Sequence, residues 1–172
     1  MKLQLNVSSE DHKIARLAAL AIGIHVIESL IPSPIPGIKP GFANIVILIV
    51  FAIYGLNSAA WVSMLRVIVG SIVIGTFLSP TFVLSLSGAC GSLLVLVFFS
   101  HQAGMRVSLF GIAILMSMAN MVAQYIMVYW FFIPHEELIN ILPILLTAAL
   151  IFGVFTGLIA EKVYQNVKSQ LC

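Results

Sequence analysis

Six polar side chains stand out in a chain that is otherwise almost continuous hydrocarbon: Glu28, Lys39, Asn44, Arg66, Asn120 and Gln124. One carboxylate, two cations and three amides could hold a small molecule by charge and hydrogen bonding. An ionisable group inside a membrane span costs roughly 2.5–3.5 kcal/mol near the centre, so each needs a reason. Glu28 follows His25 at i+3, and on a helix the two share a face. It is either an acid at the membrane interface or a ligand group for a cation, hydroxyl or amine. Lys39 is either an exposed loop lysine or, between Gly37 and Gly41, an ammonium that meets an anion together with backbone amides. Arg66 has Gly70 and Ser71 one turn further on, which leaves room beside it. It either pairs with Asn120 or Gln124 or contacts a substrate anion. Asn120 and Gln124 stand at i and i+4 on one face, as interhelical glue or as part of a cavity wall, since buried amides in lipid need partners.

The missing motifs narrow the chemistry. There is no phosphate-binding loop of the GxxxxGK[ST] type. The chain has six acids in all, with only Glu136 and Glu137 adjacent, and so offers no acidic cluster for magnesium-diphosphate chemistry. It has no zinc-binding motif and no serine in a nucleophile-elbow setting. A self-contained enzyme is not expected, and neither is a catalytic residue, a cofactor, a metal or a nucleic-acid partner.

The elements that must position these residues are membrane helices. Of 172 residues, 61% are hydrophobic and 8% charged, against about 25% charged in soluble domains. Mean hydropathy is +1.15. Since a span takes about 20 apolar residues, the expectation is an all-α bundle of six spans forming one domain over 1–172. The spans fall near 14–31, 41–56, 59–78, 81–99, 107–132 and 138–160, with Asn57 and Ser58 read as the turn between the second and third. Ser8 and Asp11 resemble a capping box before the first span. The one long interruption, from Glu28 to Asn44, holds Pro32, Pro34, Pro36 and Pro40, four of the chain's seven prolines. Proline fixes φ and removes a donor, so this segment is a stiff extended connector, read here as a lid over a cavity.

Small residues recur on several spans. Ala15, Ala19 and Gly23 form a stripe, suited either to packing within the bundle or to docking another membrane subunit. Ser85, Gly88, Ala89 and Ser92 form a second small face, and Ala149, Gly153 and Gly157 a third. Cys90 reads as a small buried packing residue, and a disulfide to Cys172 is not expected. The N-terminal stretch does not resemble a cleaved signal. With both termini cytoplasmic, Lys2, Lys13, Arg16, Arg106, Lys162 and Lys168 lie inside against Lys39 alone outside, as the positive-inside rule favours. The proline-rich lid and the His135-Glu136-Glu137 loop then face outward, in a bacterial-type cytoplasmic membrane.

The segments ESLIPSPIPGIKPGFANIV, LRVIVGSIVIG and LSPTFVLSLSGACGSLLV, with the Asn120/Gln124 pair, resemble the Gx transporter family, also labelled heptaprenyl diphosphate synthase component I. The resemblance runs from about Ala15 to Ala160, and its most specific part is the lid with Gly37, Lys39, Gly41, Ala43 and Asn44. Related sequences often carry His-Asn before the glutamine; here Ala119 stands in place of that histidine. The family is similar to the substrate-binding S components of energy-coupling factor (ECF) transporters. The resemblance implies a bundle with both ends inside, a loop capping an outward pocket, and a first helix that docks a transmembrane T component through small residues, here Ala15, Ala19 and Gly23. It further implies two ATP-binding subunits as partners and a small-molecule substrate, vitamin-like or isoprenoid-related. The alternative is a non-catalytic membrane accessory subunit of prenyl diphosphate or quinone synthesis, or of a membrane redox system.

Overall fold

The computed structural model describes residues 9–30, 41–101, 108–131 and 139–171. Within these the chain is helical: α1 (Ser9–Leu30), α2 (Ala43–Ile74), α3 (Pro80–His101), α4 (Leu109–Phe131) and α5 (Leu142–Leu171). Four of them, α2 to α5, are long and apolar enough to cross a membrane. The expected bundle of six spans is therefore corrected to five helices, four of them candidate spans. The segment 14–31 falls in α1, which carries Glu10, Asp11, Lys13, Arg16 and Glu28 and lacks the uninterrupted apolar run of the others. The segments 41–56 and 59–78 correspond to the two helical arms of α2, which are separated by a non-helical residue at Gly55.

The break between the two arms sits at Gly55, two residues before the expected Asn57-Ser58 turn, with φ 84° and ψ −177°, a conformation open to a residue without Cβ. The Ser58 hydroxyl donates across it to the Tyr54 carbonyl at 3.4 Å. The consequence of the break is large. The Arg66 guanidinium donates to Asn44 Oδ1 at 2.9 Å, although a straight helix would hold positions 22 residues apart at about 33 Å. Each of the two stands 11 residues from Gly55, so α2 folds back on itself there and its arms lie side by side. The arm 43–54 is about 18 Å long, short of the ~30 Å of hydrocarbon.

Beyond the fold-back, α2 ends at Ile74 rather than Leu78. Gly75 takes φ 78°, its N–H donates to the Ile72 carbonyl and the Thr76 N–H donates to that of Ser71, the paired bonds of a Schellman ending. Ser79 then starts α3. Its Oγ accepts from the Phe82 N–H at 3.4 Å, with Pro80 as the first helical residue, where a missing N–H does no harm.

Packing runs α1 on α2, α2 on α3, α3 on α4 and α4 on α5, with α2 also touching α5 and α4. One core joins them through Ile47, Leu48, Val50, Val62, Leu96, Met116 and Ala160. The small faces of α3 and α5 serve this packing. A Cβ on Gly91 would stand 2.6 Å from the Ala119 carbonyl oxygen, and one on Gly153 would stand 3.0 Å from the Ile114 Cα. In lipid, where no hydrophobic force joins helices, such close approach supplies the dispersion contact that does. Cys90, expected to be buried, is exposed on α3. Ser8, the lid residues 32–40 and the loop 132–138 lie outside the described residues.

The backbone at Gly55 makes a signed prediction. Gly55→Ala forces a Cβ into a positive-φ, extended-ψ region that is essentially glycine-only and is expected to cost about 1–3 kcal/mol. Gly23→Ala, in regular helix with nothing within 4 Å of the new Cβ, is expected to gain about 0.5–1 kcal/mol. Reversible SDS-titration unfolding of the two variants in mixed micelles checks the opposite signs.

Candidate functional site

Three of the six predicted site residues converge where α1 meets the two arms of α2. On α1 the buried face is Ala18, Ala21, His25 and Glu28, spaced by three and four as one side of a helix requires. Glu28, only 4% exposed, accepts the backbone N–H of Phe42, the residue that caps α2. A carboxylate there satisfies an orphan donor and meets the positive end of the helix dipole. Asn44 stands in the first turn of α2, and its Oδ1 accepts from Arg66. Arg66, 5% exposed, also feels the counter-charge of Glu28. One acid thus holds both the start of α2 and the cation of its second arm.

His25 completes this corner by packing on Gly70. A Cβ at Gly70 would stand 2.7 Å from the imidazole Cδ2, so the glycine is the space the ring occupies. That gap beside Arg66 is readable in the sequence; its occupant is not. Behind the pair, Ser63 Oγ and Arg66 Nε are buried without a hydrogen-bond partner among the described residues. They stand one turn apart on the second arm, and an unpaired buried donor costs about 1–3 kcal/mol.

Asn120 and Gln124 form a separate group between α3 and α4. Gln124 Nε2 donates to Asn120 Oδ1, Asn120 Nδ2 donates to Ser92 Oγ at 3.3 Å, and Ser92 Oγ donates to the Met116 carbonyl at 3.3 Å. Gly88 lies flat against both amides, for a Cβ there would stand 2.5 Å from Asn120 Oδ1. Arg66 therefore pairs with Asn44 on its own helix, and the amides of α4 pair with α3. Lys39 lies outside the described residues.

A small cleft of about 10 Å3, partly open to the outside, lies between these groups; that is room for about one water molecule. Gly41, Asn44, Ile45 and Leu48 of the first α2 arm form one wall, and Ala113, Met116 and Ser117 of α4 with Thr156 of α5 form the other. Ser117 and Thr156 were not among the sequence candidates. Isolated hydroxyls in apolar helices give no pattern, and only the crossing of α4 and α5 turns both toward Asn44.

On the predicted site α1 also shows its other side. Ala15, Ala19 and Gly23 are exposed, on the face away from Ala18, His25 and Glu28. The stripe takes no part in packing within the described bundle.

Glu28 and Arg66 are buried opposite charges that act on each other, and removing one leaves the other uncompensated, at about 3–5 kcal/mol. Arg66→Met is expected to destabilise the protein by that amount. Combined with Glu28→Gln it should cost at least about 1 kcal/mol less than the sum of the two single changes, as coupled neighbours do. A double-mutant cycle by SDS-titration unfolding measures this.

No curated protein and no solved structure matches this chain. The family model described as heptaprenyl diphosphate synthase component I matches residues 17–163, which takes in α2, α3, α4 and every residue lining the cleft, and on that match the chain belongs to the heptaprenyl diphosphate synthase component I family.

Proposed function

We propose that this protein is a membrane-embedded substrate-capture subunit, of the S-component type, in an ECF-type uptake transporter for a small metabolite, vitamin-like or isoprenoid-related. The observation that carries the reading is the cleft at the root of the proline-rich segment, walled by Asn44 with Arg66 and Glu28 locked behind it. The whole of 1–172 acts as one membrane domain in a bacterial-type cytoplasmic membrane, with both termini inside and the segment 32–40 as a lid on the outer side. Asn44 lines the site and Glu28 and Arg66 hold it from behind, Lys39 closes over it, and Asn120 and Gln124 stiffen the far wall. The subunit performs no reaction itself. Energy comes from partners: a transmembrane T component docks on the exposed Ala15, Ala19 and Gly23 stripe, and ATP-binding subunits drive release.

A second reading follows from the family's description. Read as a non-catalytic membrane accessory subunit, the protein would use the same exposed stripe to seat a partner of prenyl diphosphate or quinone synthesis or of a membrane redox system.

Gentle purification of the tagged protein with mass spectrometry of its bound proteins and small molecules separates the two. The transport reading predicts ATP-binding and T subunits, lost in Ala19→Leu, with a metabolite that is lost in Asn44→Ala. A prenyltransferase or redox partner, with no retained metabolite, would replace it by the accessory reading.

A further inference from the structure

Three polar side chains line the cleft, and their existing bonds fix what each has left to offer. Ser117 Oγ donates to the Ala149 carbonyl at 2.7 Å, and Thr156 Oγ1 donates to the Gly153 carbonyl at 3.1 Å. A hydroxyl carries one proton, so both oxygens meet the cleft as acceptors. Asn44 meets it in the opposite sense. Guanidinium has donors and no acceptor, so the Asn44 atom turned to Arg66 is Oδ1. Its NH2 keeps its donors, with no partner among the described residues. A donor on α2 thus stands across the cleft from two acceptors on α4 and α5, and among the described residues no hydrogen bond joins them directly.

The space between them has the size of one small molecule. A cavity of about 10 Å3 is at the lower limit for a single water, which when buried makes about three hydrogen bonds. Asn44, Ser117 and Thr156 offer three in the matching senses, one to accept and two to donate. The other lining side chains are apolar and none is charged, so an ion would find no counter-charge there. From this we infer that the cleft binds one structural water, which accepts from the Asn44 NH2 and donates to Ser117 Oγ and Thr156 Oγ1. The donors then run in one direction: Arg66 to Asn44, Asn44 to the water, the water to Ser117, and Ser117 to the Ala149 carbonyl. Bonds aligned in this way polarise and strengthen one another. The water is the polar link between the α2 arms held by Arg66 and the α4–α5 pair. It is independent of the substrate-capture reading, because it concerns how the bundle is joined and not what the protein carries.

The test uses the full-length protein in lipid nanodiscs, with isotope-labelled asparagine and water-selective NOE and ROE spectra. Asn44→Asp identifies the Asn44 side-chain signals by their loss. In the unmodified protein those signals are expected to show a water cross-peak with the sign given by water that tumbles with the protein. Ser117→Ala combined with Thr156→Val removes both acceptors and is expected to abolish the cross-peak while the Asn44 signals stay in place. Thr156→Val alone keeps the shape of the side chain and leaves one acceptor. It should weaken the cross-peak about 2- to 10-fold, as loss of one hydrogen bond does. No cross-peak in the unmodified protein, or one with the sign of freely diffusing water, would overturn the inference. A cross-peak unchanged in Thr156→Val and in the double variant would overturn it as well, since α4 and α5 would then not hold the water.

Discussion

Arg66 must stay charged inside an apolar bundle, and most of the surrounding structure follows from that constraint. A guanidinium has five N–H donors, and transfer of such a group from water is tolerable only with a counter-charge and acceptors in place. Asn44 supplies an acceptor and Glu28 the counter-charge. Asn44 can reach Arg66 only if α2 reverses at Gly55. Glu28 can act on Arg66 only if α1 lies along both arms, which is why Ala18 and Ala21 on the same face are small and buried. The carboxylate then has capacity left for the Phe42 N–H. The cost of one buried cation is spread over three helical segments, and it fixes their relative placement.

The other half of the bundle is joined by different means. Between α3, α4 and α5 the contacts are glycine against backbone and hydroxyl or amide against carbonyl, with no charge involved. Individual interhelical hydrogen bonds in membrane proteins are worth little, about 0.6 kcal/mol on average. The amide chain Gln124–Asn120–Ser92–Met116 contributes mainly by fixing register, because a slip of one residue would bury unpaired amides. Close approach at Gly88, Gly91 and Gly153 supplies the dispersion that holds the helices together.

Several of these features are legible in the sequence. Hydropathy identifies a helical membrane protein, and the small faces on α3 and α5 are packing faces where the glycine spacing places them. The residues Glu28, Asn44 and Arg66 are visible as costly groups that need partners. The pairing is not, because helical periodicity says which residues share a face and nothing about which face meets another. Asn57-Ser58 reads as a turn by composition, and the reversal belongs to a glycine two residues earlier with no polar signal at all. The six-span count fails because the first arm of α2 is too short to cross the hydrocarbon, with α1 adding a second reason: its five charged side chains dilute an apolar face that is genuinely buried. Cys90 is apolar enough for a core but falls on the lipid side of α3, a matter of helix rotation that a run without periodicity cannot encode.

The cleft lies where the two halves meet, and its walls are held in different ways from the seam between them. Asn44 is fixed by Arg66, Met116 receives the Ser92 hydroxyl through its carbonyl, Ser117 is tied to Ala149 and Thr156 to Gly153. Each wall is therefore rigid by hydrogen bonds internal to its own half. Across the seam, among the described residues, no hydrogen bond joins α2 to α4 or α5; the contact is the apolar one of Leu48, Leu96, Met116 and Ala160. Apolar packing is non-directional and changes gradually with separation, whereas a buried hydrogen bond is lost within a fraction of an ångström. The same division lets a buried cation organise one half of the bundle while close glycine contacts organise the other.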